Sequence, residues 1–220
     1  MAHTRAADPG DGNTRRRPRR DAELNRERVL AAATTAMLRD GLHVPLAVIA
    51  AEAGVGIATL YRSYPDREAL FRALEFRAYQ TLSEILDEIE SQDLSGLDAV
   101  KEYLTRVLAV GDNLILPLRG GPPLVDPDIV EARQEIIERL DRLLECGRAD
   151  GSIRAAVNAI DVAVFSSLIG QPLPHGPAWP RVSARQLAIF VNGLAASGPA
   201  VIPGPAVTRD DIEMAFMREP

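Results

Sequence analysis

Residues 46–71 constrain the fold of this chain more than any other part of its sequence. Their apolar residues first recur at intervals of three, one and three, which is the spacing of one buried helix face. These residues are Leu46, Ile49, Ala50 and Ala53. Gly54 follows directly, where a helix most often closes with a left-handed residue that glycine adopts without strain. The next residues, 57–64, predict a second helix that buries Leu60 and Tyr64.

The connection between these two predicted helices is of the short kind that sets two helices steeply across each other. Pro65 stops the second helix, and Asp66 is placed to cap the next one. The second helix keeps four side chains on its open face, namely Thr59, Tyr61, Arg62 and Ser63. A short helix that presents such side chains suits the major groove of DNA.

The segment AGVGIATLYRSYPDREALF, residues 53–71, closely resembles the DNA-binding signature of the TetR family of bacterial transcriptional regulators. The resemblance covers about residues 22–75, and beyond them it rests only on helix order and length. It implies a DNA-binding surface formed by Gly56, Ile57, Ala58, Thr59, Tyr61, Arg62, Ser63 and Arg67. Three positions depart from the family pattern: Gly56 and Pro45 stand where a serine or another capping residue is common, and Ser63 where histidine is common.

The side chains of this surface suit different contacts. The resemblance implies that the Tyr61 phenol hydrogen-bonds a phosphate; the alternative is that its ring packs against the first helix. Arginine is the residue best suited to bidentate contact with guanine, so Arg62 is expected to contact a base unless it is merely solvated. Arg67 begins the following helix, where free amides and a cation can jointly hold a phosphate.

Charge is divided unevenly within a net charge of −6. Residues 1–72 hold 12 Arg against 9 Asp and Glu, whereas the remaining residues have a balance of −9. Such a division favours a protein that offers one end to a polyanion. Five arginines between residues 15 and 20 predict a disordered basic arm, residues 1–20. This arm is either a solvated tail or a segment that contacts phosphates or the minor groove.

The rest of the chain predicts helices and no strands, so the expected fold class is all-α. The predicted helices are 21–39, 67–89, 97–110, 128–148, 161–169, 183–197 and 209–217, with a proline-containing loop at 116–127. The expected organisation is a helix-turn-helix DNA-binding domain at 21–72 and a helical effector-binding and dimerisation domain at 73–220. Helices 161–169 and 183–197 are apolar on more than one side, so they are the predicted dimer contact.

Several functional classes lack support in the sequence. The three histidines have no partners at metal-ligand spacing, so no catalytic residue, metal site or cofactor is predicted. The single cysteine, Cys146, excludes an internal disulfide framework and is expected to be a small buried residue. No apolar run approaches the ~18 residues of a membrane span, and no secretory signal is recognisable. The expected location is the cytoplasm.

The sequence therefore predicts a regulator, not an enzyme. We expect a homodimer that binds double-stranded DNA at a palindromic operator, acts as a repressor and responds to a small-molecule effector of unknown identity. Effector binding is expected to tilt the long helix 67–89 and change the spacing of the two recognition helices. One alternative is a helical small-molecule-binding protein or enzyme whose N-terminal three helices are structural. Another is an activator or an effector-free regulator.

Overall fold

The computed structural model describes residues 16–111, 114, 124–169, 178–197 and 208–210, with side chains from residue 21 onward. The regular structure of these residues consists of helices and one isolated bridge, which confirms the all-α class. The helices are α1 (Arg16–Asp40), α2 (Leu46–Glu52), α3 (Ile57–Ser63), α4 (Arg67–Glu90), α5 (Gly96–Val110), α6 (Pro127–Ala149), α7 (Ala159–Ile169) and α8 (Trp179–Leu194). Within the described residues, no single helix is long and apolar enough to cross a membrane. Only the combined length and composition of α2 and α3, which are bent by 108° relative to each other, would suffice.

The chain forms two compact units, Met1–Arg67 and Glu68–Pro220. Helices α1, α2 and α3 pack against one another in the first unit. In the second unit α5 packs against α6, α7 and α8, and α6 packs against α7. The division lies close to the boundary between the two predicted domains, 21–72 and 73–220. The separate functions of these two domains stay predictions.

Helix α1 begins earlier than the sequence pattern predicts. It starts at Arg16 and not at residue 21, so the last part of the predicted arm is helical. Arginine is a good helix former, and Pro18 is tolerated because the first turn of a helix needs no amide donor there. Residues 1–15 lie outside the described residues, and their predicted disorder stays a prediction.

The core of the first unit combines small side chains from α1 with larger ones from the elements around it. Ala33 and Ala36 of α1 are fully buried, as are Ile49 of α2 and Leu60 of α3. Alanines allow helix backbones to approach closely, because their side chains occupy little of the space between two axes. The three helices therefore pack into one unit around a continuous apolar core.

Helices α5 and α6 touch through two glycines. A Cβ atom added to Gly96 would lie 2.1 Å from the amide nitrogen of Gly147. The start of α5 is also held by Asp150, whose carboxylate accepts hydrogen bonds from the Gly96 amide at 2.8 Å and from the Ser152 amide at 2.8 Å. A hydrogen bond from the Ser152 side chain, and then those from the Gly96 and Ser152 amides, hold the pKa of Asp150 below its ordinary value. The close approach is thus reinforced at the helix end.

A buried arginine joins α6 to the last two turns of α4. Arg139 is 4% exposed and donates hydrogen bonds to Glu90 at 3.0 and 2.8 Å and to Asp87 at 2.7 Å. It also donates to the Ser83 hydroxyl at 2.8 Å and to the Ser83 carbonyl at 3.2 Å. A buried charge requires this degree of pairing, because a buried charge without partners destabilises the fold by on the order of several kcal/mol.

The later helices match the sequence prediction in kind but not in every boundary. Helix α8 is Trp179–Leu194 and not 183–197. Pro180 is compatible with its first turn, and the chain after Leu194 leaves the helix to form the bridge Ile153–Ala195. The expectation of a buried Cys146 is wrong, because this residue lies on the exposed side of α6. Most of the predicted loop 116–127, and helix 209–217 beyond Asp210, lie outside the described residues.

Candidate nucleic-acid interface

The turn between α2 and α3 has the geometry that the sequence predicts. Gly54 has a φ of +66°, in the left-handed region. Its amide donates to the Ala51 carbonyl at 3.1 Å, and the Val55 amide donates to the Ala50 carbonyl at 3.0 Å. This pair of bonds is a Schellman motif, which closes a helix and redirects the chain. The chain turns by 108° between α2 and α3, as in a helix-turn-helix.

Helix α3 has one buried side and one exposed side. Leu60 is fully buried and Tyr64 is 6% exposed, so both belong to the core as predicted. The outer face of α3 consists of the exposed residues Ile57, Ala58, Tyr61 and Arg62. Thr59 and Ser63 are half-buried beside it. The structure therefore brings six of the predicted contact residues onto or beside one surface.

Gly56 lies immediately before this outer face and is the N-cap of α3. Its φ of −67° is one that any residue adopts. An added Cβ would meet only the Thr59 hydroxyl oxygen, at the ordinary distance of 3.9 Å. The backbone therefore does not require glycine here, and what the glycine provides is open space at the surface. Pro45, the N-cap of α2, likewise makes no side-chain capping hydrogen bond.

Arg67 lies apart from the outer face and holds the turn between α1 and α2. Its guanidinium donates to the Leu42 carbonyl at 2.8 Å and to the Val44 carbonyl at 2.5 Å. These partners are 25 and 23 residues away in the chain, so no local sequence pattern could reveal them. The structure thus gives Arg67 a positioning role, while its predicted phosphate contact stays a prediction.

We expect Arg67→Ala to lower the free energy of unfolding by about 1–3 kcal/mol, because it leaves two partly buried carbonyls without a charged donor. Arg62→Ala is the matched control. Arg62 is exposed, so its loss should change stability by no more than about 0.5 kcal/mol. Urea unfolding of both variants measures the difference. Equal stability of the two variants would contradict the positioning role.

A second arginine that the sequence pattern did not single out joins α1 to α2. Arg39 at the end of α1 donates to Asp40 at 2.7 Å and to Glu52 at 3.0 Å. Its hydrogen bonds hold the pKa of Asp40 below the ordinary value. All three groups are on the surface, where such pairs contribute little to stability. Their effect is to fix the end of α2, from which the turn to α3 starts.

Comparison with known proteins bears on this arrangement. The family model described as "Bacterial regulatory proteins, tetR family" matches residues 29–74. A TetR transcription regulatory protein from Mycobacterium vanbaalenii is 26% identical, with a TM-score of 0.56 over 81% of this chain and 99% of that chain. A TetR transcriptional regulator from Streptomyces coelicolor is 28% identical, with a TM-score of 0.53 over 79% and 99%. Residues 29–74 are therefore a TetR-family DNA-binding segment, and the two structures extend the likeness over most of the chain.

A third solved structure extends the likeness in fold. AibR, solved in complex with isovaleryl coenzyme A and operator DNA, is 15% identical, with a TM-score of 0.63 over 78% of this chain and 98% of that chain. A search of the curated proteins gives no match. The TetR match of residues 29–74 includes all of α2 and α3 and every predicted contact residue.

Residues 29–74 therefore carry the helix-turn-helix DNA-binding motif of a TetR-family transcriptional regulator. The motif consists of α2, the turn at Gly54 and α3. Among the described residues, no three His, Cys, Asp or Glu side chains lie together as a metal site would require. The roles of the individual contact residues stay predictions.

Proposed function

We propose that this chain is a homodimeric repressor that binds a roughly palindromic operator and releases it on binding a small-molecule effector. One observation carries the DNA-binding part of this proposal. The outer face of α3 is exposed, although the opposite side of the same helix is fixed in the core. A recognition helix requires this combination, because it must enter the major groove without losing its orientation.

The outer face supplies two different kinds of DNA contact. Tyr61 is 49% exposed, so its ring is anchored on one side while its hydroxyl can donate to a phosphate oxygen. Arg62 lies in the next row of the helix and is free to approach a base edge, where its planar fork matches the two acceptors of guanine. Thr59 and Ser63 add hydroxyl groups beside these residues. The face thus combines positioning with base recognition.

The apolar surface of α7 and α8 supports the dimer. Leu168 of α7 is 63% exposed and Ile189 of α8 is 53% exposed. Between these helices, the rings of Phe165 and Phe190 stack with centroids 3.8 Å apart, and both side chains are only half-buried. A two-fold axis would cover this surface with a second copy of itself, and it would also place two α3 helices on two half-sites.

The second unit supports the effector part of the proposal. AibR, which shares the fold, was solved with both isovaleryl coenzyme A and operator DNA. In this chain, an open cleft of about 440 Å³ is lined by α6, the start of α7 and residues 208–210, within the range of small-molecule sites, roughly 300–1,000 Å³. An effector shifts the DNA-binding equilibrium only if it binds the two conformations with different affinity. We propose that the effector binds more tightly to a conformation in which α4 is tilted, and that this conformation releases DNA.

Binding of a duplex selected from a random library tests the proposal. The unmodified chain should bind the selected duplex with an affinity that falls steeply as salt rises. Arg62→Ala should reduce affinity for that duplex by roughly 1–3 kcal/mol and leave affinity for random DNA nearly unchanged. Arg142→Ala is the control, since Arg142 is also exposed but lies on α6. Fluorescence anisotropy measures all three proteins.

Two outcomes would contradict the proposal. If no duplex is enriched and binding does not depend on salt, the chain is not a sequence-specific regulator, and a helical ligand-binding protein becomes the better interpretation. If Arg62→Ala loses equal affinity on selected and random DNA, the arginine contacts the backbone and does not recognise a base.

A further inference from the structure

The leading part of the α3 outer face has no hydrogen-bonding side chain. It consists of Ile57 and Ala58, which follow the N-cap residue Gly56, and all three residues are exposed. Ile57 is 42% exposed, whereas Leu60 on the opposite side of the helix is fully buried. Single exposed apolar residues are common on protein surfaces, so exposure alone decides nothing. The position of Ile57 is informative, because it stands one turn before Tyr61 on the surface proposed to face DNA.

An apolar side chain can distinguish only one feature of the base edges in the major groove. All four bases present donors or acceptors there, but thymine alone presents a methyl group. Ile57 can neither donate nor accept a hydrogen bond. We infer that Ile57 packs on the 5-methyl group of a thymine in each half-site and thereby contributes to operator specificity. This inference rests on the proposed DNA-binding function.

The neighbouring row of the outer face limits where this thymine lies. Ile57 and Arg62 are five residues apart, and a helix rises about 1.5 Å per residue, so they are separated by roughly 7.5 Å along α3. Successive base pairs are about 3.4 Å apart, so the two side chains contact bases within about two base pairs of each other. Gly56 and Ala58 are small and let the backbone of α3 approach the groove closely. The thymine contacted by Ile57 should therefore lie within about two base pairs of the guanine contacted by Arg62.

The test removes the methyl group and nothing else. The full-length protein first selects a duplex from a random library, and each thymine of that duplex is then replaced by deoxyuridine, symmetrically in both half-sites. At one thymine position, deoxyuridine should weaken binding about fourfold in each half-site, which is the effect of losing one buried methyl group. Replacement in both half-sites should therefore weaken binding about fifteenfold. For Ile57→Ala, the same replacement should leave affinity unchanged, because the side chain that senses the methyl group is gone.

Val48→Ala is the matched control, since Val48 on α2 is 40% exposed and is also a branched apolar residue. This variant should keep the full response to deoxyuridine. Thermal unfolding should show that Ile57→Ala is as stable as the unmodified chain, because Ile57 is not a core residue. The inference is overturned if every thymine tolerates replacement, or if Ile57→Ala still responds. Absence of any selected duplex would instead overturn the proposed DNA-binding function itself.

Discussion

Ile189→Glu is expected to leave the chain folded and to convert a dimer into a monomer. Ile189 is 53% exposed within one chain, so a carboxylate there meets water when the chain is alone. In a two-fold dimer the same carboxylate would be buried without a partner, and the burial would occur twice. Such burial costs on the order of several kcal/mol. Sedimentation at micromolar concentration measures the change.

Loss of the dimer should also lower operator affinity by more than about 100-fold, because one chain then binds only one half-site. Leu94→Glu is the control. Leu94 is 39% exposed, similarly apolar and in the same unit, but it lies between α4 and α5.

Phe190→Asp is a less suitable variant, since Phe190 stacks on Phe165 within one chain and its loss would also disturb folding. If Ile189→Glu and Leu168→Glu both remain dimeric, α7 and α8 are not the interface.

Gly96→Ala should be the most destabilising glycine-to-alanine change among the described glycines. Its Cβ would lie 2.1 Å from the nitrogen and 2.2 Å from the Cα of Gly147. These are backbone atoms of a packed helix, so no side chain can rotate away, and α5 and α6 must separate. We expect a loss of about 3 kcal/mol or more, which is roughly 6–12 °C in Tm for a chain of this size.

Gly56→Ala provides the comparison for this prediction. Gly56 also has an ordinary backbone conformation, and its added Cβ would meet only the Thr59 hydroxyl oxygen at 3.9 Å. The cost should therefore stay below about 1 kcal/mol, the ordinary difference between glycine and alanine at a helix N-cap. Thermal unfolding by circular dichroism measures both variants. A Tm for Gly96→Ala within a degree or two of the unmodified chain would show that the glycine contact is not close.

Local physical rules explain which parts of the site could be predicted from the sequence. The Gly54 turn depends on hydrogen bonds among neighbouring residues, and the two sides of α3 follow from the 3.6-residue period of a helix. Both predictions are confirmed: Gly54 has a positive φ, and Leu60 and Tyr64 are buried. A pattern contained within one turn or one helix is visible in the sequence, because its partners are neighbours in the chain.

Contacts between distant residues could not be predicted in this way. The bonds of Arg67 to the turn between α1 and α2, and the approach of Gly96 to Gly147, depend on how whole helices pack. Cys146 illustrates the same limit within a single helix. Its apolar neighbours Leu143 and Leu144 favour burial, but the buried stripe continues through Gly147 and leaves Cys146 exposed.

The Arg139 cluster has a consequence for engineering. Its partners Ser83, Asp87 and Glu90 all belong to α4, whereas Arg139 belongs to α6. Suppose that residues 91–220 of this chain were grafted onto a relative's DNA-binding domain, with the junction after Glu90. The graft would then separate Arg139, the buried member of the cluster, from its three partners and leave its charge unmatched in the interior, at a cost of about 3–5 kcal/mol. A junction placed before Ser83 transfers the whole cluster as one cassette, so the interchangeable module of this regulator begins inside α4 and not at its end.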